Sequence, residues 1–310
     1  MLKDKIKNRK SGILLYGMTP PKAKHTKEEL KEIAACQIQR IKDLQIDGLV
    51  LYDIQDESDR TDIKRPFPFI KTLDSCDYAK NYLDDALPFP VIVYRAVGKY
   101  NRAEFKQWLK DRVGREFFSV FVGAASKKTE TTMDIKEAYR LKKEIDDELI
   151  LGGIVIPERH TAKKDEHLRV FSKIENGCEY FISQAVYNLE AAKRFLDDYV
   201  MHAKKNDKEL VPVVFTFTPC GSIKTLEFMK WLGVHIAPSL EERLKNAEDI
   251  LKESVKTSIA NFSALYEYGK KKDVPIGANV ESIAIRKVEI DASIYLLDEI
   301  KKILNNGHKY

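Results

Sequence analysis

Nothing in this chain approaches the ~20 consecutive apolar residues that a membrane-spanning helix needs, which excludes an integral helical membrane role. The basic opening, MLKDKIKNRKSG, is not followed by an apolar segment or a small-residue cleavage signal, so it does not read as a secretory leader. Cysteine is scarce. Cys36, Cys76, Cys178 and Cys220 lie far apart, with no pair at metal-ligand spacing, which argues against a disulfide framework and against structural zinc. Their settings, an apolar helix face for Cys36 and a strand flank for Cys178, predict buried free thiols in a reducing cytoplasm. Catalytic signatures are missing too. There is no G-x-S-x-G elbow, and Gly152-Gly153 lies inside a strand run rather than opening a phosphate-binding helix. The six histidines show neither HxxxH nor H-E-x-x-H spacing, so no metal is expected.

Against these absences, 44% apolar and 33% charged residues give enough material for a large core under a densely charged surface. The net charge of +5 is spread along the chain beside acids, as in residues 27–31 and 142–148, which speaks against a nucleic-acid interface. A modest positive excess still suits a site that receives phosphates or other anionic groups. No linker rich in Pro, Gly or Ser divides the chain. Strand-like and helix-like patterns alternate instead, with strands expected at 12–16, 48–52, 90–94, 117–122, 151–156, 180–183, 211–217 and 274–279. Thr26 with Glu29 makes a capping box for the first intervening helix, and a long helical region is expected at 240–271. Eight such pairs predict a single (β/α)8 TIM barrel over residues 12–310, preceded by a basic N-terminal extension, residues 1–11.

The stretch 150–188 concentrates polar strand ends. Residues 151–156 form an apolar run that stops abruptly at Pro157-Glu158-Arg159-His160, read as a polar loop. A helix with apolar Leu168, Phe171 and Ile174 follows and ends at Gly177, and the next strand runs to Gln184. In a parallel barrel, ligands collect at the carboxyl ends of the strands. The candidate positions are therefore Gly17, Asp53, Tyr94, Gly123, Pro157 to His160, Gln184, Thr218 and Asn279.

Pro157-Glu158-x-His160 and the Gly177-to-Gln184 strand, in that order and at that separation, resemble the methylenetetrahydrofolate reductases, flavoproteins built on a (β/α)8 barrel. The resemblance runs over most of the chain. It implies flavin adenine dinucleotide (FAD) held by His160, Glu166 and Lys173, with Tyr94, Val122 and Gly123 lining the cofactor. It also implies a one-carbon folate held by Gln184 and Asn279, and a donor that is NADH, NADPH or a protein, with a second copy of the chain or a partner subunit as candidate company. Two departures stand out. Gly17 occupies the place of the family glutamate that protonates folate, and Ala124 follows Gly123 where the family has an aspartate. Glycine and alanine cannot transfer a proton, and losing a positioned acid commonly costs about 10² to 10⁴ in rate. Asp53, on the adjacent second strand end, is then the candidate substitute acid. Two functions remain open: a flavin-dependent reductase converting 5,10-methylenetetrahydrofolate to 5-methyltetrahydrofolate, and a non-catalytic relative that keeps a flavin or folate pocket as a binding or regulatory module.

Overall fold

The computed structural model describes residues 1–58, 61–123 and 131–307. Eight strands, β1 (Leu14–Met18), β2 (Gly48–Leu51), β3 (Val91–Ala96), β4 (Phe118–Val122), β5 (Ile150–Val155), β6 (Cys178–Ala185), β7 (Val213–Phe217) and β8 (Ile276–Glu281), close into one barrel in sequence order. All eight pairings are parallel, and β1 closes on β8 with Leu15 opposite Asn279 and Gly17 opposite Glu281. The helices are α1 (Leu2–Lys7), α2 (Lys27–Ile41), α3 (Ser75–Tyr78), α4 (Arg102–Lys110), α5 (Ile135–Ile145), α6 (Pro157–Lys163), α7 (Glu166–Glu175), α8 (Leu189–Lys205), α9 (Ile223–Trp231), α10 (Pro238–Asn246), α11 (Ile250–Lys270) and α12 (Lys287–Gly307). The TIM barrel expected from the alternation is the fold observed.

Because side chains alternate along a strand, each strand supplies two faces to two cores. Outward residues such as Leu49, Val93, Phe121 and Phe215 pack under the helices. Inward residues, among them Leu15, Val50, Ile92, Val120, Tyr180 and Val214, fill the barrel itself. Gly152 belongs to this interior: a Cβ there would lie 2.5 Å from the Tyr180 ring, so the glycine admits a ring that a larger residue would exclude. The barrel floor is closed by α1, whose Leu2 and Ile6 are almost fully buried against the same interior cluster. Its basic residues fan out to acids at the bottom of different strands: Lys5 to Asp47, Lys3 to Glu116, Lys7 to Glu179, and Arg9, just past the helix, to Glu209. The positive charge of residues 1–11 thus has a structural address, and the segment expected to precede the barrel plugs it.

Two local expectations are corrected. The run from Pro157 to His160 is the first turn of α6 rather than a loop, with Pro157 at the helix start, where its missing N–H is not needed. The long helical region at 240–271 is two helices, because Asp249 breaks the run and caps α11 by accepting from the Lys252 amide. Strand β8 also continues past Asn279 to Glu281, two residues further than its apolar run suggested, and that extension decides the chemistry of the mouth.

Candidate functional site

Glu281 ends β8 on the inward face, directly across the β1–β8 seam from Gly17. The space beside Gly17 holds the Tyr52 ring, since a Cβ on Gly17 would sit 2.7 Å from the Tyr52 hydroxyl. Tyr52 stands edge-on to Tyr94, with ring centroids 4.9 Å apart, and its hydroxyl bonds the Glu281 carboxyl. Asn279 fixes this hydroxyl from below: its Nδ2 donates to Tyr52 at 2.8 Å and to Thr216 Oγ1 at 3.1 Å, while its Oδ1 is buried without a partner. Glu281 keeps some exposed surface, yet its carboxyl is walled by aromatic rings. That desolvation pushes it up to about 7, against the lowering effect of the Tyr52 bond. Burial, and then the nearby Glu281, hold the Tyr52 and Tyr94 hydroxyls well above their usual range, so both stay neutral. The result, among the described residues, is an aromatic floor carrying a carboxyl whose pKa is raised toward neutrality.

The other strand ends are more committed. Asp53 accepts from the Ala96 amide at 2.8 Å, from Tyr100 at 3.2 Å and from the Lys99 ammonium. Gln184 donates its Nε2 to the Leu232 carbonyl at 2.8 Å, leaving its Oε1 for another group. Val122 and Gly123 are partly exposed at the end of β4, and among the described residues a Cβ on Gly123 would meet nothing nearer than Ile135 at 3.7 Å. Ala124 lies outside the described residues. The segment after β2 reaches the helix that follows β7. Trp231 donates to the Ile63 carbonyl at 2.9 Å, and the Arg65 guanidinium lies 4.7 Å from the Trp231 ring.

At the end of β5, the three residues assigned to a flavin dinucleotide are held by their own chain. His160 is 3% exposed, with Nε2 on Asp198 at 2.7 Å. Glu166 is sealed and accepts from the Ile156 amide at 2.8 Å. The Lys173 ammonium donates to the Ile154 carbonyl, and burial lowers its pKa against the opposing pull of Glu166. Glu158 beside them is desolvated and pushed up to about 8, its carboxyl meeting nothing beyond its own amide. A diphosphate needs free donors and no buried carboxyl next to it. As placed, these residues do not form a cradle for FAD. Burial lowers the pKa of His167, on the first turn of α7, with the neighbouring His160 adding to the effect.

Sequence reasoning missed Glu281 and Tyr52. The signal for Glu281 was its position two residues beyond Asn279, on the same strand face.

These observations define a class first: a closed parallel (β/α)8 barrel whose mouth, among the described residues, carries an aromatic floor and a desolvated carboxyl at the closing seam. A family model described as methylenetetrahydrofolate reductase matches residues 125–266. An uncharacterized protein from Clostridium thermocellum that binds two copies of 5-methyl-5,6,7,8-tetrahydrofolic acid is 50% identical, over 98% of this chain and 100% of that one, with a TM-score of 0.88. The chain belongs to the methylenetetrahydrofolate reductase family. A 2,3-dimethylmalate lyase (12% identity, 99% and 97% coverage, TM-score 0.43) and the xylanase XynB from Paenibacillus barcinonensis (9%, 90% and 85%, TM-score 0.43) are too distant to bear on this reading. No curated protein matches.

Proposed function

We propose that this protein binds a one-carbon-substituted tetrahydrofolate in the barrel mouth, with the pterin against Tyr52 and Tyr94 and its polar edge on Glu281. The observation that carries the reading is the desolvated Glu281 carboxyl set on an aromatic floor at the β1–β8 seam. A pterin presents apolar ring faces and adjacent N–H donors on one edge, and a carboxylate accepts two such donors side by side. Gln184 supplies a further acceptor through its Oε1, and Asn279 acts behind the site by orienting Tyr52. Family membership and the folate-binding Clostridium relative support the ligand class.

The same carboxyl favours a second reading, reduction of the folate, because a group with a pKa near 7 is suited to proton delivery at neutral pH. In that reading Glu281, rather than Asp53, holds the proton, since Asp53 is already bonded to Ala96, Lys99 and Tyr100. The family's flavin lacks a cradle at His160, Glu166 and Lys173, so binding is the leading function. Titration with 5-methyltetrahydrofolate, followed by calorimetry, should give saturable binding that Glu281→Gln weakens about 10- to 100-fold, as expected for a lost charge-assisted bond worth ~1.5–3 kcal/mol. Absence of saturable binding by the wild type would overturn the proposal. An anaerobic spectrum separates the two readings: a flavin band bleached by NADH or NADPH would restore the reductase.

A further inference from the structure

The spacing argument against a metal considers ligands along one helix, whereas the fold gathers ligand types from three. His160 on α6, His167 on α7 and Asp198 on α8 each offer an atom within 4.8 Å of the other two. We propose that these residues form a zinc site in the helical layer outside the barrel, a clip that ties α6 and α7 to α8.

The donor set fits the ion. Two imidazoles and one carboxylate, with no thiolate, suit Zn²⁺, whose bonds to nitrogen and oxygen are ~2.0–2.2 Å and whose tetrahedral ligand atoms stand about 3.4 Å apart. Reaching that spacing from separations of up to 4.8 Å asks for side-chain shifts on the order of 1 Å. The state of the histidines supports an occupant. His160 is 3% exposed with its Nε2 turned to Asp198, and the Nδ1 of His167 is buried without a hydrogen-bond partner among the described residues. Buried polar atoms without partners are rare because they lose their hydration for nothing, and an ion gives such nitrogens a bond.

A fourth ligand is near. His202 lies one helical turn beyond Asp198 on α8, the i,i+4 arrangement that turns two side chains to one face, and its ring centroid is 5.5 Å from that of His167. Asp198 is about one-third exposed, which leaves the cluster a route for an ion. The clip would brace the end of β5, because α7 also carries Glu166 and Lys173, which bond the Ile156 amide and the Ile154 carbonyl.

The test uses the full chain, freed of any histidine tag and stripped with a chelator. Titration with Zn²⁺ in calorimetry should show one equivalent bound and a raised Tm, and Co²⁺ should give the strong visible bands of a four-coordinate ion. His167→Ala and Asp198→Asn should each weaken Zn²⁺ binding at least tenfold, while replacing the exposed His235 by Ala leaves it unchanged. Circular dichroism of the metal-free variants guards against misfolding, and His167→Gln serves if the alanine variant does not fold. The proposal is overturned if the wild type takes up no stoichiometric zinc, or if both site variants bind it as the wild type does.

Discussion

Gly17 and Tyr52 share one space, and the tyrosine holds it. Restoring the family's glutamate at position 17 would drive a side chain into the Tyr52 ring, with the first added carbon already 2.7 Å from its hydroxyl and 2.9 Å from its Cε2. Overpacking of this kind costs about 1–3 kcal/mol. Gly17→Ala should therefore lower the Tm and weaken folate binding together, and an unchanged melting curve would mean that Tyr52 yields freely. Glu158 gives a pH test at the same scale. Its carboxyl is near 8 in the folded chain against an ordinary 4.5, so between those values the native state holds a proton that the unfolded state has released. Stability then falls as pH rises through that window and levels off above it; below about 4.5 both states are protonated and the group contributes nothing. Glu281 acts with the same sign up to about 7. In thermal melts, Glu158→Gln should flatten the decline between pH 5 and 8 and raise the Tm at the alkaline end, whereas a slope equal to that of the wild type would mean that burial does not hold the proton there.

Among the elements, β5 depends on the helix that follows it. Glu166, in the first turn of α7, accepts from the Ile156 amide just beyond the strand. Glu166→Ala leaves that amide without its partner and should destabilise the ligand-free protein by about 2 kcal/mol, the worth of a bond to a charged group. Urea unfolding measures it, and an unaltered midpoint would release Glu166 for a ligand role. How far this was legible in the sequence varies by element. Eight strands were readable because their apolar runs are buried on both faces, and the Thr26 capping box was readable because its signal is local. The break at Asp249 was hidden by helix formers on both sides. The end of β8 was misjudged because a polar Asn279 looks like an exit, although it is fully buried beneath Tyr52 and Thr216. Resemblance located His160, Glu166 and Lys173 as a group, but partners such as Asp198 and the carbonyl of Ile154 come from tertiary packing, which no spacing reveals.

On the scale of the whole molecule, the two ends of the barrel have separate tasks. The floor is closed by α1, so Ile6→Ala should cost about 2–5 kcal/mol through a cavity beneath the strands, while leaving folate affinity in the folded fraction near its wild-type value. Denaturant unfolding beside a folate titration checks both halves of that statement, and a large loss of affinity at unchanged stability would contradict it. The mouth is made where the first and last strands meet, with Gly17 and Glu281 facing each other across the closing seam. In the chain order these two positions stand near opposite ends, one on the first strand and one on the last. Around the circumference they are neighbours, so a barrel closed in sequence order lets the last residues of its final strand complete a site that opens on its first.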